Sequence, residues 1–125
     1  MPRFDRTDAA AGPLVRGFDG TRFVVDGERF NAVLLTPDQA LGWTPPALAD
    51  LAAADVEPVL ATAPAPEFLL FGSGAALVRP PRAFVAALEA RGIGVEVMDS
   101  RAAARTWAVL RAEERWIAAA FMPLV

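Results

Sequence analysis

The spacing of apolar positions changes period along this chain. In Thr21–Leu35, TRFVVDGERFNAVLL, apolar and polar residues alternate on either side of Asp26-Gly27. Phe23 and Val25 alternate with Arg22 and Val24. Phe30, Ala32 and Leu34 alternate with Asn31, Val33 and Leu35, so the second run becomes apolar on both faces near its end. A period of two predicts strands, and Asp-Gly between two such runs predicts a hairpin. A shorter strand over Val15–Phe18 is expected to join through Asp19-Gly20.

Further along, Phe68–Phe71 is an uninterrupted apolar run, the pattern of a central strand covered on both faces. Gly72-Ser73-Gly74 follows it. A helix is predicted to start near Pro80-Pro81, with Phe84, Val85 and Leu88 as its apolar stripe and Gly92 as its stop. Ile93–Met98 reads as a strand with Val95 and Val97 on one face and Glu96 and Met98 on the other. Asp99 or Ser100 is expected to cap a helix over Arg101–Ala112, whose stripe is Ala103, Thr106, Trp107 and Leu110. Trp116–Phe121 closes the chain as a buried strand. In the middle, Pro45-Pro46 marks an extended or turn entry, and Asp55 is expected to cap a short helix over 56–62 with Pro58 in its first turn.

The first half therefore reads as an antiparallel meander and the second as β-α-β-α-β. The expected fold is a single α/β domain over residues 14–125, with helices on one face of a central sheet and the hairpin packed elsewhere. Residues 1–13 read as a loose arm.

Composition narrows the chemistry. The chain has 125 residues, 54% hydrophobic and 22% charged, with a net charge of −3, which suits one folded domain and offers no basic surface for nucleic acid. It contains no His and no Cys, and no Lys. Imidazole bases, thiolate nucleophiles, disulfides and Schiff-base lysines are thereby excluded. Asp, Glu, Arg, Ser and Thr remain for polar chemistry. No apolar run approaches the ~20 residues that span a bilayer, and the first residues lack the apolar core of a secretion signal. A cytoplasmic protein that is not integral to a membrane is the expectation. No cofactor or metal is expected.

Several residues could form a site. Gly72, Ser73 and Gly74 sit where a strand meets the approach to a helix, a place where anions settle on backbone N–H groups. The full dinucleotide fingerprint and the P-loop pattern are both missing, and a tight turn is the simpler reading. Asp99 and Ser100 end the neighbouring strand; they serve as helix caps, as ligand contacts facing the Gly-Ser-Gly loop, or as both. Glu96 would be buried if its strand is covered on both faces. It would then be paired, with Arg115 as partner, or carry a raised pKa suited to acid–base work. Arg101 and Arg105 lie four apart on one helix face, either solvated or placed for an anion or acidic partner. Trp43, in a Pro- and Gly-rich connection, is a candidate anchor for a partner protein.

The motifs FGSG, GIGVEVMDS, AARTWAVL and EERWIAAAF, taken together, resemble a family of small α/β domains of largely unknown function that includes the mitochondrial respiratory complex I assembly factor three. Gly72, Ser73 and Gly74 match one part of its pattern; Gly92, Ile93, Val95, Glu96, Met98 and Ser100 another; Ala103, Thr106, Trp107, Leu110, Glu113 and Arg115 the rest. Departures are Ser for Thr at 73 and 100, Trp for Tyr at 107, Ala for Asn at 108 and Glu for Gly at 114. The resemblance implies a three-layer β/β/α domain with a central mixed sheet. It implies no established enzymatic activity to carry over. It implies a non-enzymatic interaction or assembly factor whose partner is a protein, such as a membrane respiratory complex during assembly, and a free-standing bacterial version of the domain. The alternative drawn from the residues is a small-ligand or anion binder, or a carboxylate enzyme, centred on Gly72–Gly74, Glu96, Asp99 and Ser100.

Overall fold

Asp26 and Gly27 both adopt left-handed backbone, with φ of 50° and 87°. That geometry matches the twist of the flanking strands and folds β2 (Arg22–Val25) onto β3 (Glu28–Phe30). With β1 (Val15–Asp19) paired to β2, they form a three-stranded antiparallel sheet. The structure is a computed structural model and describes residues 12–125. Most of the expected arm, residues 1–11, lies outside the described residues. Pro13 is buried, and its carbonyl accepts a 2.8 Å hydrogen bond from the Trp107 indole N–H.

The second run of the hairpin does not continue as one strand. It breaks at Asn31-Ala32, and β4 (Val33–Leu35) enters a second sheet, where β5 (Ala40–Gly42) pairs with it. All three residues of β4 are buried, because both faces of this sheet are covered. The shift from alternation to continuous apolar sequence marks this transfer between sheets. The helix expected over 56–62 is a 3₁₀ turn at Ala53–Val56 followed by one α turn, α1 (Glu57–Leu60), with Pro58 in its first turn. Asp55 reaches back to the Ala52 amide at 2.8 Å instead of capping α1.

The second half alternates as the sequence pattern predicts: β6 (Phe68–Gly72), α2 (Arg82–Glu89), β7 (Gly94–Met98), α3 (Ser100–Ala112) and β8 (Ala118–Phe121). The five-stranded sheet has the order β5-β4-β8-β6-β7. β6 runs parallel to β7 and β8, while β4 is antiparallel to β8. From β6 the chain crosses outward to β7; from β7 it crosses back over β6 to β8. Right-handed crossovers in opposite directions place their helices on opposite faces of a sheet. α1 and α2 accordingly cover one face, through Val59, Leu60, Phe84 and Leu88 against Leu34, Leu69, Phe71 and Ala120. α3 covers the other beside the small sheet, through Ala103 and Trp107 with Phe23 and Val25 against Leu35, Leu70, Ala119 and Phe121. The expectation that all helices share one face is thus corrected by the return direction of the second crossover.

Both long helices end the same way. Gly92 takes φ 78°, and the Gly92 and Ile93 amides donate to Glu89 and Leu88. Glu114 takes φ 61°, and the Glu114 and Arg115 amides donate to Arg111 and Leu110. Each is a Schellman stop, which favours glycine at the left-handed position. At 114 this chain uses glutamate.

Candidate functional site

The parallel strands β6, β7 and β8 end together, and their carboxyl ends are tied by hydrogen bonds. The Ser73 amide donates to the Met98 carbonyl at 2.8 Å, the Ser100 amide to Gly74 at 2.8 Å, and the Met122 amide to Gly72 at 2.9 Å. Ser100 is fully buried at the first turn of α3. Its Oγ accepts from the Gly74 amide at 2.9 Å and donates to the Met122 carbonyl at 2.9 Å. Ser73 Oγ donates to the Ala76 carbonyl at 2.8 Å, with the Met98 carbonyl at 3.2 Å, and accepts from the Val78 amide at 3.0 Å. Asp99 caps α3 by accepting from the Ala102 amide at 2.9 Å. The structure therefore brings Gly72, Ser73, Gly74, Asp99 and Ser100 into one corner.

The glycines are what let this corner close. A Cβ on Gly72 would sit 2.7 Å from Ser100 Oγ and 2.8 Å from Ser100 Cα. Gly74 needs φ 112°, which side chains rarely tolerate. The Gly74 amide, Ser73 Oγ and Ser100 Oγ all point to partners within the chain. Among the described residues no buried side-chain nitrogen or oxygen lacks a hydrogen bond. No cluster of three acidic side chains able to hold a metal occurs among the described residues.

The remaining sequence candidates lie elsewhere. Glu96 is exposed, so the condition set for its burial, a strand covered on both faces, is not met. Among the described residues β7 is an edge strand, paired only with β6. Arg115 pairs instead with Glu67 at 2.8 Å and lies over the Phe68 ring. Its guanidinium holds the Glu67 carboxyl below the usual carboxylate range. Arg101 stacks on Phe18, 5.5 Å from the ring centre. Arg105 lines a shallow hollow of about 280 Å³ between α3 and β1. Trp43 is half-buried against the α1/α2 core, and its indole N–H donates to the Asp55 carbonyl at 3.0 Å. Its ring is committed to internal packing.

The surface that sequence reasoning passed over starts where the corner closes. Residues 75–79, Ala-Ala-Leu-Val-Arg, are all exposed, with Leu77 at 62% and Val78 at 49%. Three adjoining hollows run along this segment. One of about 430 Å³ is bounded by Leu48, Ala76, Val78, Met122 and Pro123 and floored by Ser73-Gly74. The next, about 490 Å³, lies between Leu48, Val78 and Arg79. The third, about 370 Å³, is formed by Arg79, Pro80, Arg82, Val85, Val95 and Val97. The available signal was an apolar stretch too short for an element and bounded by Gly and Pro-Pro.

A model of the family described as "protein of unknown function (DUF498/DUF598)" matches residues 15–122. The zebrafish (Danio rerio) protein named NADH dehydrogenase [ubiquinone] 1 alpha subcomplex assembly factor 3 is 29% identical over 117 residues, 93% of this chain and 67% of its own length. A crystal structure of a Bordetella parapertussis protein superposes with a TM-score of 0.80 at 33% identity, covering 90% of this chain and 97% of that one. The solution structure of a Mth938-like domain from Bordetella pertussis gives 0.77 at 28% identity, over 93% and 87% of the two chains.

Proposed function

This chain belongs to the DUF498/DUF598 family of proteins of unknown function, and from that premise we propose that it is a non-enzymatic protein-interaction factor for the assembly of a respiratory complex. The observation that carries the reading is its similarity, over 93% of its length, to a protein named as an assembly factor for NADH dehydrogenase. The chemistry of the strand-end corner is compatible with it. The donors that an anion would need there are already bonded to backbone carbonyls and a serine hydroxyl of the same chain, so the ligand-binding alternative finds little polar capacity at Gly72–Gly74. What the neighbouring surface offers is exposed apolar side chains and arginines, the materials of a protein contact. No described helix is long and apolar enough to cross a membrane. We take the site of action to be the cytoplasm, with the partner complex met at the membrane surface.

The test is affinity purification of the tagged chain from its host after mild cross-linking, combined with native gels of a deletion strain. The reading predicts recovery of NADH dehydrogenase subunits and loss of the mature complex on deletion. Normal complex levels in the deletion strain, with no subunit recovered, would contradict it.

A further inference from the structure

The open edge of the central sheet has a defined polarity and a defined neighbourhood. The Met98 carbonyl accepts from the Ser73 amide across to β6. Along a strand, alternate residues turn their N–H and C=O to opposite sides. Gly94, Glu96 and Met98 therefore face β6, and Val95 and Val97 present their backbone groups outward. β7 has no second strand among the described residues, and no other described backbone group bonds Val95 or Val97. Their side chains line the third hollow with Val85, under the rim of Arg79 and Arg82. Both arginines are exposed, and neither forms an ion pair with a described residue. On the opposite face of the same strand stands the exposed carboxylate of Glu96.

We propose that β7 is a docking edge for an extended segment of a partner protein, added as a sixth strand. The segment places apolar and acidic residues on the Val95/Val97 face and a basic residue beside Glu96. This rests on the reading of the chain as an interaction factor and specifies how it holds its partner. An added strand gains main-chain hydrogen bonds from Val95 and Val97, while pockets on alternating positions supply specificity. On the hollow side its apolar residues meet Val85, Val95 and Val97, and a carboxylate reaches the Arg79/Arg82 rim. On the other side Glu96 selects a cation across the strands. A second copy of this chain fits poorly. Its own β7 offers only valines on the hollow face, nothing to meet the arginines, and pairing centred on Glu96 would set two carboxylates opposite each other. Glu96 thus guards the edge against self-pairing, a common use of charge on edge strands.

The experiment pans a library of random ten-residue peptides against the full chain and then titrates a synthetic consensus peptide. We expect enriched sequences in which apolar and acidic residues share one set of every-second positions and a basic residue falls on the intervening set. The bound peptide should slow exchange of the Val95 and Val97 amides at least about tenfold. The double variant Arg79→Glu/Arg82→Glu, confined to exposed positions, should weaken binding at least about tenfold. Val97→Pro removes an outward donor without touching the β6 ladder and should abolish binding; if that variant fails to fold, the arginine variant still decides. The proposal is overturned if no sequence is enriched or if enriched peptides lack acidic residues. It is equally overturned if the two amides remain unprotected, or if sedimentation shows the chain pairing with itself through β7. Any of these results would leave recovery of respiratory subunits from the host unaffected, so the edge and the broader function fail separately.

Discussion

Ser100 Oγ and the Gly74 amide lie 2.9 Å apart, joining the start of α3 to the end of β6 across 26 residues of sequence. The same oxygen donates to the Met122 carbonyl beyond β8. One hydroxyl thereby satisfies two buried backbone groups from two strands. Ser100→Ala leaves both unpaired, and each costs on the order of 1–3 kcal/mol. We expect a total loss of about 2–6 kcal/mol in urea unfolding, with Ser100→Thr recovering part of it. A loss under about 0.5 kcal/mol would show that the bonds contribute nothing net.

Gly72 is the steric counterpart of that bond. Because a Cβ there would overlap Ser100 Cα as well as its side chain, the backbone of α3 must move to accommodate it. Overpacking that cannot relax through a flexible side chain belongs among the severe substitutions. Gly72→Ala is predicted to cost about 3 kcal/mol or more, read as a lowered urea midpoint or loss of soluble protein. Gly17, whose Cβ position is open, serves as the control for a glycine-to-alanine change.

Glu114 holds a left-handed φ of 61° at the stop of α3, where the resembling family pattern has glycine. A side chain in that region costs about 1–2 kcal/mol, partly offset because glycine also frees the unfolded chain by about 0.4–1 kcal/mol. Glu114→Gly is therefore predicted to stabilise the protein by about 0.5–1 kcal/mol, a rise of a few degrees in Tm. Glu89→Gly, inside α2, should do the reverse.

Three exposed carboxylates titrate low. Arg29 and Arg22 hold Asp19 below its ordinary value, Arg91 does so for Glu57, and Arg115 for Glu67. Arg91 reaches Glu57 with two bonds, 2.7 and 3.0 Å long, tying the end of α2 to α1. A carboxylate with a depressed folded pKa adds stability that is complete above its unfolded value, near 4 for these residues, and is lost as pH falls through the lower folded value. The double variant Glu57→Gln/Glu67→Gln should therefore be slightly less stable than the parent at pH 7. The two should converge toward pH 2, and 1 M salt should shrink the gap at neutral pH. A gap that widens as pH falls would contradict this assignment.

The β-α-β-α-β half was legible because each element carried an unambiguous period or stop: continuous apolar residues in β6, a Phe84/Leu88 stripe in α2, and Gly92 at a left-handed stop. The Asp26-Gly27 turn was equally clear, since few residues accept that backbone. The split of the second hairpin strand was not, because Phe30 to Leu35 alternates well enough for one strand, and only pairing partners distant in sequence divide it. The burial of Glu96 stayed conditional for a related reason. Period two assigns it a face, but whether that face is covered depends on β7 lying at the sheet edge, which strand order decides. In the corner, Gly72, Ser73, Gly74, Asp99 and Ser100 were singled out correctly as neighbours. That their polar groups would be used up on each other follows from three-dimensional distances that no local pattern encodes.

Amide exchange on the uniformly labelled full chain, followed residue by residue, compares the sealed corner with the open edge in one experiment. The Gly74 amide, bound to a fully buried hydroxyl, is expected to exchange only through global unfolding, at least about 10³-fold more slowly than the outward amides of Val95 and Val97. Fast exchange at Gly74 together with strong protection at Val97 in the free chain would contradict it, leaving the strand-end loop as the accessible polar surface and the sheet edge as already filled.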